Sequence, residues 1–341
     1  MNTLYVLNDT HIGAVRSGGT TPASAVALRT SLLASFGDLL KLCPGDLIIN
    51  GDLLDKKHIP HQDLWEAVNL LVSWGRANPN AQLYLPKGNH DADRNLENYS
   101  SFDLLGKIVS GMLPGRVQVI TEPTALPEHN TFVVPHLQNQ DLFDAALKAV
   151  PACTYLFIHA NYDNKFAVES DHSLNLSPEQ ARAVAATYIV GGHEHQRRIE
   201  LGGKVVMLGN QMPSSIADCL GNDAKYMLKA GANGIEFVET WKAAGDFSQI
   251  NWRELKDDGS RFIRVQGTAS AAEASDVVSA ISKFRSRSTA LVVTNAVKVE
   301  GVDDVELELS VEQLSVFDVR SEVLALLTEA ERAVLTELLE E

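Results

Sequence analysis

Only three cysteines, Cys43, Cys153 and Cys219, occur in 341 residues, and their odd number and spacing suit neither a disulfide framework nor a thiolate metal site. They read as buried or incidental thiols in a reducing compartment. The N-terminus lacks a basic segment leading into a long apolar stretch and runs directly into Leu4-Tyr5-Val6-Leu7, so no signal peptide is expected. No apolar run is read as long enough to span a membrane, which leaves a cytoplasmic protein with no membrane partner as the expectation. Internal repeats and low-complexity segments are absent. Positive charge is also short: 44 acidic against 29 basic residues give a formal net charge of -15. That argues against a protein that holds nucleic acid by its whole surface. It does not exclude a nuclease, because salt screens charge beyond roughly 8–10 Å and a local basic rim or metal ions can still attract a phosphodiester.

What is present is an ordinary globular composition, 45% hydrophobic and 21% charged, which excludes disorder and fibres. The length exceeds what one compact core usually needs, so two domains are expected. Through the first two-thirds one pattern recurs: a short apolar run, then a polar turn rich in Gly, Asn, Asp or His. The runs are TLYVLND, DLIINGD, QLYLPKGNHD, TYLFIHAN, TYIVGGHEH and KVVMLGN. Each reads as a buried strand ending at a turn. Helical stretches are expected at Ser24–Leu42, Gln62–Arg76, Gln140–Ala149 and Ser177–Ala186, the last opened by a Ser cap and Pro in the first turn. Alternating strands and helices indicate an α/β domain, whose ligands bind where strands end. A catalytic domain over 1–245 is expected, then a polar boundary at Asp246–Ser260, then a small α+β unit over 260–341. That unit has strands at Arg261–Gln266 and Ala290–Glu300, a helix at Ala271–Phe284, and an amphipathic helix over Val319–Glu340.

The strand-end turns carry the chemistry. Asp9-Thr10-His11 places a carboxylate and an imidazole two residues apart, although alone it reads equally as a loop Asp beside a surface His. Gly51-Asp52-Leu53-Leu54-Asp55 offers a carboxylate able to bridge two ions, which in hydrolytic sites lie roughly 3.5–4 Å apart. Gly-Asp is also a common turn. Gly88-Asn89-His90-Asp91 is more specific: Asn oxygen binds a hard or borderline cation, and a turn does not explain His and Asp after it. His159 ends the run Tyr155–Ile158, and Gly192-His193-Glu194-His195 adds two histidines two apart. Together these motifs supply Asp, His, Asp, Asn, His, His and His, enough for two ions of mixed oxygen and nitrogen coordination. No cysteine takes part, which favours Mn(II), Fe(II) or Zn(II).

In this order the motifs D-x-H, G-D-x-x-D, G-N-H-D, a lone H and G-H-x-H resemble the calcineurin-like metallophosphoesterases over roughly residues 1–215. The resemblance implies a sandwich of two β-sheets flanked by helices. It also implies two divalent metal ions, Mn(II) first among the choices. One would be held by Asp9, His11, Asp52 and His195, the other by Asp52, Asn89, His159 and His193, with Asp52 bridging. His90 would be the catalytic histidine that binds no metal, oriented by Asp91.

Among these enzymes, Gly51–Asp55 followed by Pro60, Gly88–Asp91 with Arg94, and a tail reading Phe262-Ile263-Arg264-Val265, helix, Ala290-Leu291-Val292-Val293 resemble SbcD-like DNA exonuclease subunits with a capping domain. That likeness implies linear duplex DNA or its ends as substrate, an SMC-like ATPase partner binding the C-terminal region, and a homodimer; the compact chain fits a phage-type member. Departures are Glu194 where an apolar residue is common, the late proline, and Asn210-Gln211-Met212-Pro213 in place of a Gly-Ser-Pro turn. The alternative reading is a phosphomonoesterase, or a protein or nucleotide phosphatase, of the same superfamily. Lys56, Lys57, Lys87, Arg94, Lys165, Arg197 and Arg198 are candidates for a basic rim, Lys283, Arg285 and Arg287 for phosphate contacts. His58, His61 and His172 are expected to face solvent.

Overall fold

The computed structural model describes residues 3–300 apart from 17, 93–97, 165–172 and 222. The expected Val319–Glu340 helix, Arg94, Lys165 and His172 therefore lie outside the described residues.

Short β-rich runs ending at turns become two six-stranded sheets. The first holds β1 (Leu4–Leu7), β2 (Asp46–Ile49), β3 (Leu83–Pro86) and β4 (Val117–Ile120), all parallel. The hairpin β13 (Ala224–Gly231) and β14 (Gly234–Lys242) extends it antiparallel beyond β1, giving the order β14-β13-β1-β2-β3-β4. The second contains β5 (Thr124–Leu126), β6 (Thr131–Val134), β7 (Cys153–His159), β10 (Ala186–Gly192), β11 (Arg198–Glu200) and β12 (Val205–Met207), ordered β11-β12-β10-β7-β6-β5. Its central strands β6, β7, β10 and β12 are parallel. Between β7 and β10 lies the two-residue pair β8 (Asn161–Tyr162) and β9 (Asn175–Leu176).

Side-chain alternation along each strand sorts the core into layers. Leu4, Val6, Ile48 and Tyr84 of the first sheet meet Tyr155, Phe157, Val190 and Val206 of the second, filling the sandwich. Leu7, Leu47 and Ile49 turn outward beneath α1 (Pro22–Lys41), α2 (His61–Ala77) and α3 (Ser101–Met112). Leu156, Ile158 and Ile189 turn outward beneath α4 (Gln140–Lys148) and α5 (Pro178–Ala183). Each such fully buried side chain stabilises the fold by ~1.5–3 kcal/mol.

The expected helices form with small changes of bounds. Ser177 and Gln180 exchange the capping bonds (2.8 and 3.2 Å), but α5 stops at Ala183 because Val184 is already extended and Ala186 opens β10. The unexpected α3 begins at an equivalent box, Ser100 with Asp103 (2.9 and 3.2 Å). By length and composition alone the 20-residue α1 is long and apolar enough to cross a membrane, against the expectation that no apolar run is. Its Leu28, Leu32, Phe36, Leu39 and Leu40 are buried in the core, the setting of a globular core helix.

A third sheet, β15 (Phe247–Asn251), β16 (Phe262–Ala269) and β17 (Val292–Val299), is parallel throughout, with α6 (Ala274–Arg285) connecting its last two strands. The polar stretch read as a boundary thus contains a strand. Ile263, Val265, Val277, Ile281 and Val293 form this unit's own core. Phe262, Leu291 and Val292 join the core under α1 instead, and the Val293 N–H donates to the Gly19 carbonyl at 2.7 Å.

Candidate metal centre

Every candidate ligand sits at or just beyond the C-terminal end of a parallel strand: Asp9 and His11 after β1, Asp52 after β2, Asn89 after β3, His159 closing β7, His193 and His195 after β10. The loops are stitched together by backbone. Asp9 N–H donates to Gly51 O (3.1 Å), His11 N–H to Asp52 O (3.1 Å) and Ile12 N–H to Leu53 O (3.0 Å). Close approach explains two glycines. A Cβ on Gly88 would lie 2.1 Å from Asp52 Oδ1, and one on Gly51, whose φ is +85°, would lie 2.1 Å from His159 Nδ1. Four candidate ligands, Asp9 (φ 50°), His11 (45°), Asp52 (49°) and His193 (86°), themselves occupy the left-handed region. Non-glycine residues held there cost of order 1–3 kcal/mol each and persist only where surrounding structure imposes them.

The side chains converge in sets. Asp9, His11 and His195 offer atoms all within 4.8 Å of one another, as do Asp52, His159 and His193. Asp52 Oδ2 joins the halves, 3.3 Å from His159 Nε2 and 3.9 Å from His11 Nε2. Asn89 Oδ1 lies 2.9 Å from both His159 Nε2 and His193 Nδ1.

The donor chemistry fits cations. His159 Nδ1 faces the Asn50 carbonyl at 3.1 Å and therefore carries a proton, so a neutral His159 turns the lone pair of Nε2 toward Asn89 and Asp52 oxygens. His195 Nδ1 faces Asp218 Oδ1 at 2.7 Å in the same way, while its Nε2 lies 2.9 Å from Nε2 of His11. Acceptors aimed at acceptors in a buried site repel unless protons or cations lie between them. The carbonyl behind His159 and the carboxylate behind His195 are the arrangement that orients metal-binding histidines.

Charge distribution follows from the same contacts. Burial alone would raise Asp52, but His159, His90 and His11 hold its carboxyl well below the usual range. Burial opposes the charged form of His159, yet Asp52 raises it to about 9. His195 is likewise penalised by burial and raised by Asp218. Asp218 itself, despite burial, is held well below the carboxylate range by His195 and Lys225.

The expected partnership of His90 with Asp91 needs correction. His90 Nδ1 lies 2.6 Å from the Asp55 carbonyl, and its backbone N–H donates to Asp52 Oδ1 at 2.9 Å. Asp91 is fully buried and spends its carboxylate on backbone, accepting from Gly88 N–H (3.0 Å), Leu54 N–H (3.0 Å) and Leu53 N–H (3.4 Å). It ties the third motif to the second, whereas the backbone of Asp55 orients His90. His90 also lies within 4.8 Å of His11 and Asp52 ligand atoms, beside both candidate ion positions.

Sequence reasoning missed Asp218, Asp55 as a carboxylate partner 3.4 Å from His11 Nδ1, and His136, whose ring stands edge-on to His159 at 6.4 Å. Burial and the His159 charge depress His136 to about 4, which keeps it neutral. The departures from the resembled pattern have local causes. Glu194 pairs with Arg198 (2.7 and 2.8 Å) and accepts the Tyr162 N–H (2.7 Å). Gln211 is fully buried, accepts the Asn8 N–H (2.7 Å) and donates to the Gly209 carbonyl (2.8 Å).

Several of the described basic candidates are engaged within the fold. Lys87 is paired with Asp103 at 2.7 Å, Arg198 with Glu194, Arg197 stacks on Tyr226 and Phe237, and Arg285 folds onto the Val293 carbonyl. Lys56 and Lys57, directly after Asp55, are exposed, as are His58 and His61.

The family model of calcineurin-like phosphoesterases matches residues 3–197, more than half of the 341-residue chain. No curated protein matches the sequence. Among solved structures the chain is similar to a novel archaeal phosphodiesterase, at 11% identity and TM-score 0.34 over 70% of this chain and 99% of that one. It is also similar to Pseudomonas putida nuclease MPE, at 17% identity and TM-score 0.27 over 69% and 87% of the two chains. At these TM-scores neither likeness bears on the substrate.

Proposed function

The chain belongs to the calcineurin-like phosphoesterase family, and on that premise we propose that it is a two-metal phosphodiesterase that cleaves DNA. The observation that carries the metal chemistry is the convergence of lone-pair donors on both sides of Asp52 Oδ2, 3.3 Å from one imidazole and 3.9 Å from another. In this proposal Asp9, His11, Asp52 and His195 hold one ion, and Asp52, Asn89, His159 and His193 the other. Ions held there would supply Lewis-acid polarisation of phosphoryl oxygens and a lowered pKa for water. The chain supplies the rest. His90, anchored through Nδ1 by the Asp55 carbonyl, donates a proton from Nε2 to the departing alkoxide. The left-handed backbone at Asp9, His11, Asp52 and His193 keeps the donors arranged before any substrate arrives.

The DNA reading rests on the motif resemblance to SbcD-like nucleases, and the parallel three-stranded unit following the sandwich supports it, being more than a minimal phosphatase requires. Exposed Lys56, next to the residue that anchors His90, provides local positive charge on a chain of net charge -15. An SMC-like ATPase partner belongs to the same proposal.

The test is Mn(II)-supplemented hydrolysis of end-labelled linear duplex DNA, with a phosphomonoester run in parallel and His90→Ala as control. Nucleotide release that disappears in the variant, with metal content retained, is the expected result. Monoester turnover with intact DNA would keep the metal chemistry and discard the nuclease reading. Loss of metal from His90→Ala would overturn its role as a proton donor that binds no ion.

A further inference from the structure

One cation outside the ligand set reaches behind both imidazoles of the same candidate ion position. Arg16 Nη1 donates to Asp55 Oδ1 at 3.2 Å, the oxygen that lies 3.4 Å from His11 Nδ1. Arg16 Nη2 donates to Ser214 Oγ at 2.9 Å, and Ser214 Oγ donates in turn to Asp218 Oδ2 at 2.9 Å. Asp218 Oδ1 then receives His195 Nδ1 at 2.7 Å. The path runs from His11 through Asp55, Arg16, Ser214 and Asp218 to His195, whose Nε2 closes back on His11 Nε2 at 2.9 Å. Both carboxylates are only 2% exposed, and Arg16, its side chain 26% exposed, touches Asp55 directly and reaches Asp218 through Ser214.

We propose that Arg16 is a positioning residue that locks His11 and His195 together as a pair and so sets the affinity of one ion position while leaving the other alone. This rests on the reading of the cluster as a two-metal site. The physical reason lies in the shape of guanidinium. Its rigid fork donates in two directions at once, which a lysine ammonium on a flexible stem does not reproduce. Asp55 and Ser214 lie on different loops, 159 residues apart in sequence, so one planar group ties the carboxylate beside His11 to the hydroxyl that, with the Ser214 and Ser215 N–H groups, holds the carboxylate behind His195. In the position formed by Asn89, His159 and His193, His159 is oriented instead by the Asn50 carbonyl, and Arg16 bonds to none of these three residues.

The test is titration of the full chain with Mn(II) alone, following affinity by calorimetry and ion pairing by electron paramagnetic resonance. Wild type is expected to take up two Mn(II) as a spin-coupled pair. Arg16→Met should bind one Mn(II) as wild type does and the second about 10–100-fold more weakly, the usual effect of losing an orienting partner. Ser214→Ala, which cuts only the His195 arm, should weaken the same ion. The double variant should lose less than the product of the two single losses, because both changes break one path. Unchanged affinities in Arg16→Met, or losses that multiply, would overturn the inference. So would unchanged Mn(II) binding with a raised KM, which would make Arg16 a substrate contact. A wild-type chain that binds no Mn(II) would overturn the two-metal reading itself, and this inference with it.

Discussion

Replacing Asp91 by alanine separates scaffold from catalysis, because the sequence pairs Asp91 with His90 whereas the structure spends its carboxylate on backbone. The residue is fully buried, so truncation leaves the N–H groups of Gly88 and Leu54, each 3.0 Å from the lost oxygens, without a partner. The Leu53 bond at 3.4 Å is too long to count fully. Each stranded donor costs ~1–3 kcal/mol, giving about 2–6 kcal/mol. Part of that is offset, since burial and the neighbouring Asp52 charge push the Asp91 carboxyl up to about 7. That offset is about 1.5 kcal/mol at pH 5 and ~4 kcal/mol at neutral pH, so at pH 5 a net loss of about 0.5–4.5 kcal/mol should remain out of a typical domain's ~5–15 kcal/mol. Urea unfolding followed by tryptophan fluorescence, with chelator present so that metal binding does not contribute, measures it. The pH dependence carries a second sign. The unfolded carboxyl titrates near ~3.9, and the folded one near about 7. Between those values the folded state holds more protons, so stability falls as pH rises through that window. Asp91→Asn removes the titration, and its stability relative to wild type should therefore improve from pH 5 to pH 8. Unchanged stability in Asp91→Ala with metals bound and turnover lost would refute the scaffold role and return Asp91 to the chemistry.

Two further outcomes follow from the same geometry. Gly51→Ala puts a Cβ 2.1 Å from His159 Nδ1 at a φ of +85°, so it should lose the ion on the His159 side; elemental analysis showing two Mn(II) per folded chain would contradict this. Mn(II) affinity should rise with pH up to about 9, because His159, held protonated by Asp52, must release its proton to bind. One displaced proton corresponds to about tenfold per pH unit, and a flat dependence of Kd on pH between 6.5 and 9 would show that His159 is no ligand.

What the sequence revealed and what it hid divide along a physical line. The seven donors were legible because each ends a buried strand, and because motifs that meet at close quarters need glycine beside them. Gly51 and Gly88 lie against His159 and Asp52 at distances no side chain survives, so the contact leaves a mark in local sequence. The alternation of strand and helix was legible in the same runs, whereas the two-sheet sandwich followed only from the motif resemblance: TYLFIHAN is apolar from Tyr155 to Ile158, so nothing in it tells that Tyr155 and Phe157 face one layer and Leu156 and Ile158 the other. The supporting groups leave no such mark. Asp218 reaches His195 across 23 residues, and Arg16 reaches Ser214 across 198. Any carboxylate or guanidinium of suitable reach would serve at those places, so no spacing announces them.

The departures from the resembled motifs fit the same division. Asn210-Gln211 replaces a small-residue turn, and Gln211 fills its place by bonding to Asn8, 203 residues away, directly before the left-handed Asp9. Lys225, buried and lowered by that burial, holds Asn210 Oδ1 at 2.5 Å and helps keep Asp218 ionised. Glu194 turns toward Arg198, which leaves its two flanking histidines to join the two candidate ligand clusters. These substitutions alter what braces the donors and leave the donors themselves unchanged. At the bracing positions the physical requirement is a satisfied buried polar group, which several residue types meet. At Asp52 the requirement is one carboxylate between two imidazoles, and no other arrangement of these loops supplies it.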